Sequence, residues 1–287
     1  MAKPHLARDG FQARESGPWA QEKLHYLRRY FYIFNQGMKY KWPHRIYVDV
    51  LAGPGRCYLK DRPTEEFDGS PILALKCETP FTDAIFIEHD SRNVEALAFR
   101  AGAIEYPDTK VTIYEENCNS PSVISEVNAA LRGHGKLGLM FVDTLGLSDI
   151  ALETVRRMTI GAKVDVLFTF QVHDALRNLG RALDDEEEGA RYTRAFSSPN
   201  WCDVLPAHRT GYTATADDAD AFSAFFESRL REIGFSHVKP LDEYMRNSHN
   251  TPLYRLIFAS RNPCGEDFFK KIATVNLHGA QQLPMFE

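Results

Sequence analysis

The sequence predicts an α/β protein built on a doubly wound, mostly parallel sheet that ends in a C-terminal antiparallel hairpin. Three observations carry this. From residue 46 to about residue 170, β-branched and aromatic runs alternate with amphipathic stretches, the rhythm of parallel strands joined by crossover helices. The first run, Ile46 to Val50, leads into Gly53-Pro54-Gly55, a turn that lets a ligand come close to the backbone at a strand's C-terminal end. The last two runs, Phe235 to Lys239 and Leu253 to Ala259, are joined only by a polar loop, which favours antiparallel pairing.

The bulk numbers bound the answer. A chain of 287 residues can bury a large core, and its 44% hydrophobic and 25% charged content is ordinary for a globular domain. The formal net charge of −5 argues against a surface given over to nucleic acid or anionic membrane, although a local basic patch is compatible with it. Cys57, Cys77, Cys118, Cys202 and Cys264 are scattered, with no Cys-x-x-Cys, so neither a disulfide framework nor a metal site is expected. No apolar leader and no membrane-length run occurs, and the expected location is cytoplasmic, away from the membrane.

Taken in order, residues 1–20 read as an irregular N-terminal lead, punctuated by Pro4, Gly10, Gly17 and Pro18. Residues 21–45 hold a helix and a connector. Leu24, Leu27, Phe31 and Phe34 form one helical stripe. The connector Lys39-Tyr40-Lys41-Trp42-Pro43-His44-Arg45 interleaves basic and aromatic residues, which can serve single-stranded nucleic acid but more often marks a solvated approach to a strand. Residues 46–287 form the main domain. After the first strand and the glycine turn comes a polar insertion, Arg56 to Asp68, and then Gly69-Ser70-Pro71 opens an apolar helix. Ser70 suits the N-cap and Pro71 the first helical position, which would put free N–H groups and a positive dipole end beside the turn. Strands follow at Ala84 to Ile87, Val111 to Tyr114, Leu137 to Val142 and Val164 to Phe170. Helices at Ser91 to Ala101, Pro121 to Leu131 and Ser148 to Met158 separate them, and a helix from Ala219 to Glu232, closed by Gly234, precedes the hairpin.

The polar residues fall in a pattern. Asp49, Glu88, Asn117 and Asp143 all lie at or just beyond strand C-termini, the edge where open α/β sheets bind ligands. Every strand must end in something polar, but four such residues beside a glycine turn favour a site. A doubly wound sheet closed by an antiparallel hairpin is the Rossmann-like layout of class I S-adenosylmethionine-dependent methyltransferases. A nicotinamide-binding domain would continue with parallel strands, and here Arg56, Cys57 and Tyr58 follow Gly55, so no third glycine completes Gly-x-Gly-x-x-Gly.

With S-adenosylmethionine as the cofactor, each residue takes a role. Asp49 receives the amino group, directly or through water, beside Ala52, Gly53, Pro54, Gly55 and Ser70. Glu88 accepts from both ribose hydroxyls, and Asn117 (or its neighbour Asn119) meets the adenine edge. Asp143 lies on the substrate side as an orienting group or base, unless it is a structural carboxylate or a helix cap. His173, with Asp174 after it, reaches the substrate mouth as a catalytic candidate, although a lone histidine is more often structural. Trp201 and Arg177 are further substrate-side candidates, Cys118 reads as a packed small residue, and Asp184 to Glu188 as a charged surface loop or helix start.

The same residues carry a family resemblance. Tyr47-Val48-Asp49-Val50-Leu51-Ala52-Gly53-Pro54-Gly55, Gly69-Ser70-Pro71-Ile72-Leu73-Ala74-Leu75, Phe86-Ile87-Glu88-His89-Asp90, Phe141-Val142-Asp143 with Gly146, and Leu253 to Ser260 together resemble the three-Cys-motif partner (TcmP) proteins. The likeness runs from about Lys23 to the final helix. It implies a methyltransferase-like fold and an iron–sulfur partner that bears the three-cysteine motif, so the cluster cysteines belong to that partner. The family usually reads Asp-Pro-Phe-Gly where this chain has Asp143-Thr144-Leu145-Gly146. The expected function is therefore an S-adenosylmethionine-dependent methyltransferase of the three-Cys-motif partner type, acting on nucleic acid or a partner-linked substrate. The alternative is a non-catalytic or regulatory subunit of the same fold that docks the iron–sulfur partner. A hydrolase is disfavoured, since there is no Gly-x-Ser-x-Gly elbow.

Overall fold

The computed structural model describes residues 5–105, 109–204, 216–247 and 249–273. A short strand β1 (Arg14–Ser16) precedes helix α1 (Pro18–Met38), and β2 (His44–Asp49) is the predicted first strand. The polar insertion forms a hairpin, β3 (Arg56–Leu59) and β4 (Arg62–Asp68), and leads into α2 (Ser70–Leu75). Then come β5 (Asp83–Glu88), α3 (Ser91–Gly102), β6 (Lys110–Glu115), α4 (Pro121–Leu131), β7 (Lys136–Val142), α5 (Leu152–Thr159) and β8 (Val164–Phe170). Three helices α6 (Val172–Arg177), α7 (Leu179–Asp184) and α8 (Glu186–Phe196) and a 3-10 turn (Pro199–Asp203) follow. The described chain closes with α9 (Ala216–Glu232), β9 (His237–Pro240), β10 (Met245–Arg246), β11 (Pro252–Ser260) and α10 (Pro263–Ala273). Among the described residues no helix is long and apolar enough to cross a membrane.

The main sheet runs β6-β5-β2-β7-β8-β11, with β9 and β10 both paired to the outer edge of β11. The pairs from β6 to β8 are parallel and those of β11 are antiparallel. The predicted fold class is therefore the observed one. From β2 the chain moves outward through β5 to β6, then returns to place β7 on the other side of β2. That reversal leaves a crevice between the C-terminal ends of β2 and β7, the usual ligand position in such sheets.

Side-chain alternation divides the core in two. Val48, Ile85, Met140, Val166 and Ile257 face one layer with Val127 of α4, Val155 of α5 and Phe222 of α9. Tyr47, Phe86, Phe141, Leu167 and Phe258 face the other, against Leu27, Tyr30, Phe31 and Phe34 of α1, Ile72 of α2 and Phe269 of α10. The predicted α1 stripe is the buried one. Asp49 and Asp165 share the second face at odd positions, so each is a carboxylate inside an aromatic layer. Asp165 accepts from Tyr30 Oη at 2.8 Å, and burial raises its pKa to about 6.

Two expectations need correction, and the insertion gains an element. Residues 5–17 are not a loose lead: β1 pairs in parallel with β3, and the deeply buried Arg100 ties the segment down through Asp9, Gln12 O and Pro54 O. The polar insertion, to which the sequence assigned no element, is a hairpin whose second strand β4 is an edge strand, where a polar residue such as Glu65 faces solvent. The helix expected from Ser148 starts only at Leu152, since Asp149 Oδ2 accepts the amides of Leu145 and Gly146 and Asn119 Oδ1 accepts that of Ala151. Those side chains hold residues 144–151 as a shaped loop.

Candidate functional site

Two cavities open along the C-terminal edge of the sheet. The larger, about 760 Å³, is bounded by Gly53, Glu88, Asn117, Cys118 and the Asp149 loop. The smaller, about 380 Å³, is bounded by Ala52, Gly55, Ser70, Lys23, His173 and Tyr254. Both volumes lie in the range of small-molecule sites. Arg14, Pro54, Asp143 and Leu145 line both cavities, so these four mark where they meet, over the crevice between β2 and β7.

The glycine turn is built for close approach. Gly53 and Gly55 hold φ of 64° and 74°, the left-handed region that side chains disfavour. A Cβ on Gly55 would lie 2.9 Å from Ile72 Cγ1 and 3.0 Å from Leu97 Cδ1. Gly55→Ala is thus expected to lose about 2 kcal/mol or more in urea unfolding, from backbone strain plus overpacking. A loss under about 0.5 kcal/mol would mean that the turn relaxes freely.

Glu88 closes the turn. Its Oε2 accepts the Gly53 amide at 3.0 Å, and its Oε1 accepts the amides of His89 and Asp90, each at 2.8 Å. A carboxylate has about four acceptor positions, so one remains toward the cavity rather than enough for two ribose hydroxyls in the expected way. Asn117 lines the same cavity, with Oδ1 holding the Asn119 amide at 2.8 Å. Asn119 is spent on structure, through Thr154 Oγ1, Ala151 N and Asp149 O. Burial pushes the Cys118 thiol up to about 12, which suits a packing residue and not a nucleophile.

Asp49 lies deeper than expected. It is fully buried and lines neither cavity; Ser70 borders the smaller one in front of it. Tyr47 Oη donates to Asp49 Oδ2 at 2.9 Å. The Ser70 hydroxyl also favours the ionised form, yet Oδ1 has no partner of good geometry among the described residues. Burial outweighs those hydrogen bonds, and with Asp143 nearby the pKa rises to about 7. Ser70 is therefore not the expected N-cap. Gly69 holds that position without a side-chain cap, and the six-residue α2 is too short to provide the expected dipole.

Asp143 is neither a helix cap nor a free base. Lys23 Nζ reaches both its oxygens, at 2.7 and 2.6 Å, and Thr169 Oγ1 donates to Oδ1 at 2.9 Å. Burial would raise its pKa, but the charges of Lys23 and Arg14 and these hydrogen bonds bring it below the ordinary carboxylate value. His173, at the start of α6, borders the smaller cavity, as do Arg177 and Asp174, which pair at 2.9 Å. Trp201 is no substrate contact: it is buried against Tyr192 and donates to Thr193 Oγ1. The Lys39–Arg45 connector enters β2 from its N-terminal end, opposite both cavities, and Lys163 covers the Trp42 ring at 4.8 Å.

Sequence reading missed Lys23 and Arg14. Lys23 carried a signal: it stands one turn before Leu27 on the buried face of α1, where a cation demands a carboxylate. Arg14 carried none, because its position depends on the long-range pairing of β1 with β3.

No protein-family model matches the sequence, and no curated protein does. Solved structures match in shape. Protein LPL1258 of Legionella pneumophila, from the DUF519 family model, superposes with a TM-score of 0.53 at 12% identity, over 90% of this chain and 92% of that one. Trm1 of Pyrococcus horikoshii, solved with S-adenosyl-L-methionine, gives a TM-score of 0.52 at 11% identity, over 93% of this chain and 62% of Trm1. At such identities the likeness establishes the fold alone: the Rossmann-like fold of class I methyltransferases.

Proposed function

We propose that this chain is an S-adenosylmethionine-dependent methyltransferase of the three-Cys-motif partner type, acting on nucleic acid or on a partner-linked substrate. The observation that carries the reading is the junction of the two cavities at Pro54, Asp143 and Leu145 over the switch point of the sheet. The residues fit the cofactor in both halves. The larger cavity suits the adenosine, with the remaining Glu88 acceptor for the ribose and the Asn117 amide for the base. The smaller suits the methionine end, with the Gly55 backbone beside it and the under-satisfied Asp49 carboxylate behind Ser70 to favour its ammonium. Trm1, a protein of this fold solved with that cofactor, supports the assignment.

Bound S-adenosylmethionine supplies an electrophilic methyl group on a sulfonium. The chain's part is then mainly alignment. Asp143, held by Lys23 and Thr169, is a fixed charge at the junction and not a proton acceptor, so the nucleophile must bring its own lone pair. His173, which also borders the smaller cavity, is our candidate to take a proton afterwards.

The test is calorimetric titration with S-adenosylmethionine and S-adenosylhomocysteine. Saturable binding is expected, and Glu88→Ala should weaken it about 10-fold to 100-fold, the worth of hydrogen bonds to a charged group. No binding by the chain, alone or with its partner, would overturn the proposal. The occupied state of Asp143 also favours a second reading, a regulatory subunit that docks the iron–sulfur protein; methyl transfer by the purified chain to a nucleic acid or partner-linked acceptor removes it.

A further inference from the structure

Among the described residues four arginine and lysine side chains line the smaller cavity, and three have carboxylate partners. Lys23 is bound to Asp143 at 2.6 Å, Arg177 to Asp174 at 2.9 Å, and Lys60 to Glu15 at 3.3 Å. Arg14 has neither a hydrogen bond nor an ion pair among the described residues, although it is half-buried and lines both cavities. Its Nη1 lies 3.7 Å from where a Cβ on Gly53 would stand, so the guanidinium sits over the open side of the glycine turn. The carboxylates of Asp49 and Asp143 feel its charge without pairing with it. No protein acceptor among the described residues takes any of its five N–H donors, so they are free to receive an anionic group that enters the cavities.

The placement is built rather than incidental. Arg14 belongs to β1, whose residues Arg14, Glu15 and Ser16 register with Cys57, Tyr58 and Leu59 of the insertion hairpin. Behind β1, the buried Arg100 binds Asp9 through two nitrogens, at 2.7 and 2.8 Å, and spends Nη1 on Gln12 O and Pro54 O. One side chain thus pins the N-terminal strap to the glycine turn itself. Gln12 adds a bond to Asn93 at 2.9 Å, and Arg8 bonds Thr64 O and Glu66 of the hairpin. The strap and hairpin form a roof, and Arg14 is its charged underside.

Resting on the methyltransferase reading, we propose that Arg14 is the carboxylate-recognition residue of the cofactor site: its guanidinium receives the α-carboxylate of the methionine end, and Arg100 is the positioning residue that holds the strap in place. The planar fork matches a carboxylate in a way a lysine does not. The opposite charges are then sorted across the cavity, with Asp49 behind Ser70 for the ammonium and Arg14 above the turn for the carboxylate.

The experiment separates the carboxylate from the rest of the molecule. Calorimetry is run with S-adenosylmethionine and with decarboxylated S-adenosylmethionine, which keeps the amine, sulfonium and adenosine. Wild type should prefer the carboxylated ligand about 10-fold to 100-fold, the worth of a charge-assisted bidentate pair. Arg14→Gln should abolish that preference while leaving affinity for the decarboxylated ligand within about twofold, and Arg14→Lys should restore only part of it. Arg100→Gln should reduce the same preference, with increased proteolysis of the strap as a readout independent of binding. Equal affinity of wild type for the two ligands, or an equal loss of both in Arg14→Gln, would overturn the Arg14 assignment and leave the cofactor site standing. Binding of neither ligand by wild type would instead overturn the cofactor reading and this inference with it.

Discussion

Lys23→Met should destabilise the protein by about 3–5 kcal/mol, among the largest effects of any single substitution outside the hydrophobic core. The side chains of Lys23 and Asp143 are about 11% and 10% exposed, so neither is screened as a surface pair would be. Without the ammonium, Asp143 keeps, among the described residues, the hydroxyl of Thr169 and the more distant charge of Arg14, with the Asp49 carboxylate nearby. A buried charge left without its partner costs several kcal/mol, whereas removing both charges together costs far less. The double variant Lys23→Met, Asp143→Asn should therefore recover most of the loss in urea unfolding, because the amide oxygen still accepts from Thr169. If Lys23→Met costs less than about 1 kcal/mol, the pair behaves like an exposed bridge and the junction is wetter than described. The pH dependence has a definite sign. The depressed pKa of Asp143 contributes stability that is full above the unfolded carboxylate value and is lost as pH falls through the lower folded value.

The same pair illustrates what was legible in the sequence. Strands buried on both faces announced themselves: β8, Val164–Phe170, and helix α4, Pro121–Leu131, fall at their predicted bounds because each is a clear periodic run with flanking stop signals. The placement of Asp49, Glu88, Asn117 and Asp143 at one edge followed from strand ends alone. Their states did not. Ser70 looks like a cap in sequence because serine before proline usually is one, but here its hydroxyl is drawn to the Asp49 carboxylate on β2. Asp143 looks like a catalytic group until Lys23, on a helix distant in sequence, is seen to occupy it. Glu65 and Glu66 hid β4 because an edge strand need not alternate apolar and polar residues. At Ser70 and Asp143 local pattern set the element, and a long-range contact set the chemistry.

Asp49→Asn is expected to do two opposite things: stabilise the protein at alkaline pH and weaken cofactor binding. With a pKa raised by burial from an ordinary 3.8 to about 7, the folded state binds a proton more tightly than the unfolded chain does. The wild type is then most stable, as far as this group matters, below the unfolded pKa, and it loses that contribution as pH rises through the folded one. Above pH 7 the ionised, buried Asp49 costs as much as about 4 kcal/mol, and at pH 5 less than half of that. Asparagine keeps the Tyr47 hydrogen bond and never ionises. The stability difference between variant and wild type, measured by denaturant unfolding, should therefore favour the variant by about 3 kcal/mol more at pH 8 than at pH 5. A difference that stays flat across this range would mean that Asp49 is hydrated or paired and that its raised pKa is not real. A fully buried carboxylate with an oxygen left without a good partner, at the switch point of the sheet, weakens the fold that carries it. Such a cost is characteristic of sites that await a charge, and an ammonium brought to the smaller cavity is the charge that would offset it. Loss of cofactor affinity in Asp49→Asn, together with the alkaline gain in stability, would tie the two effects to one group.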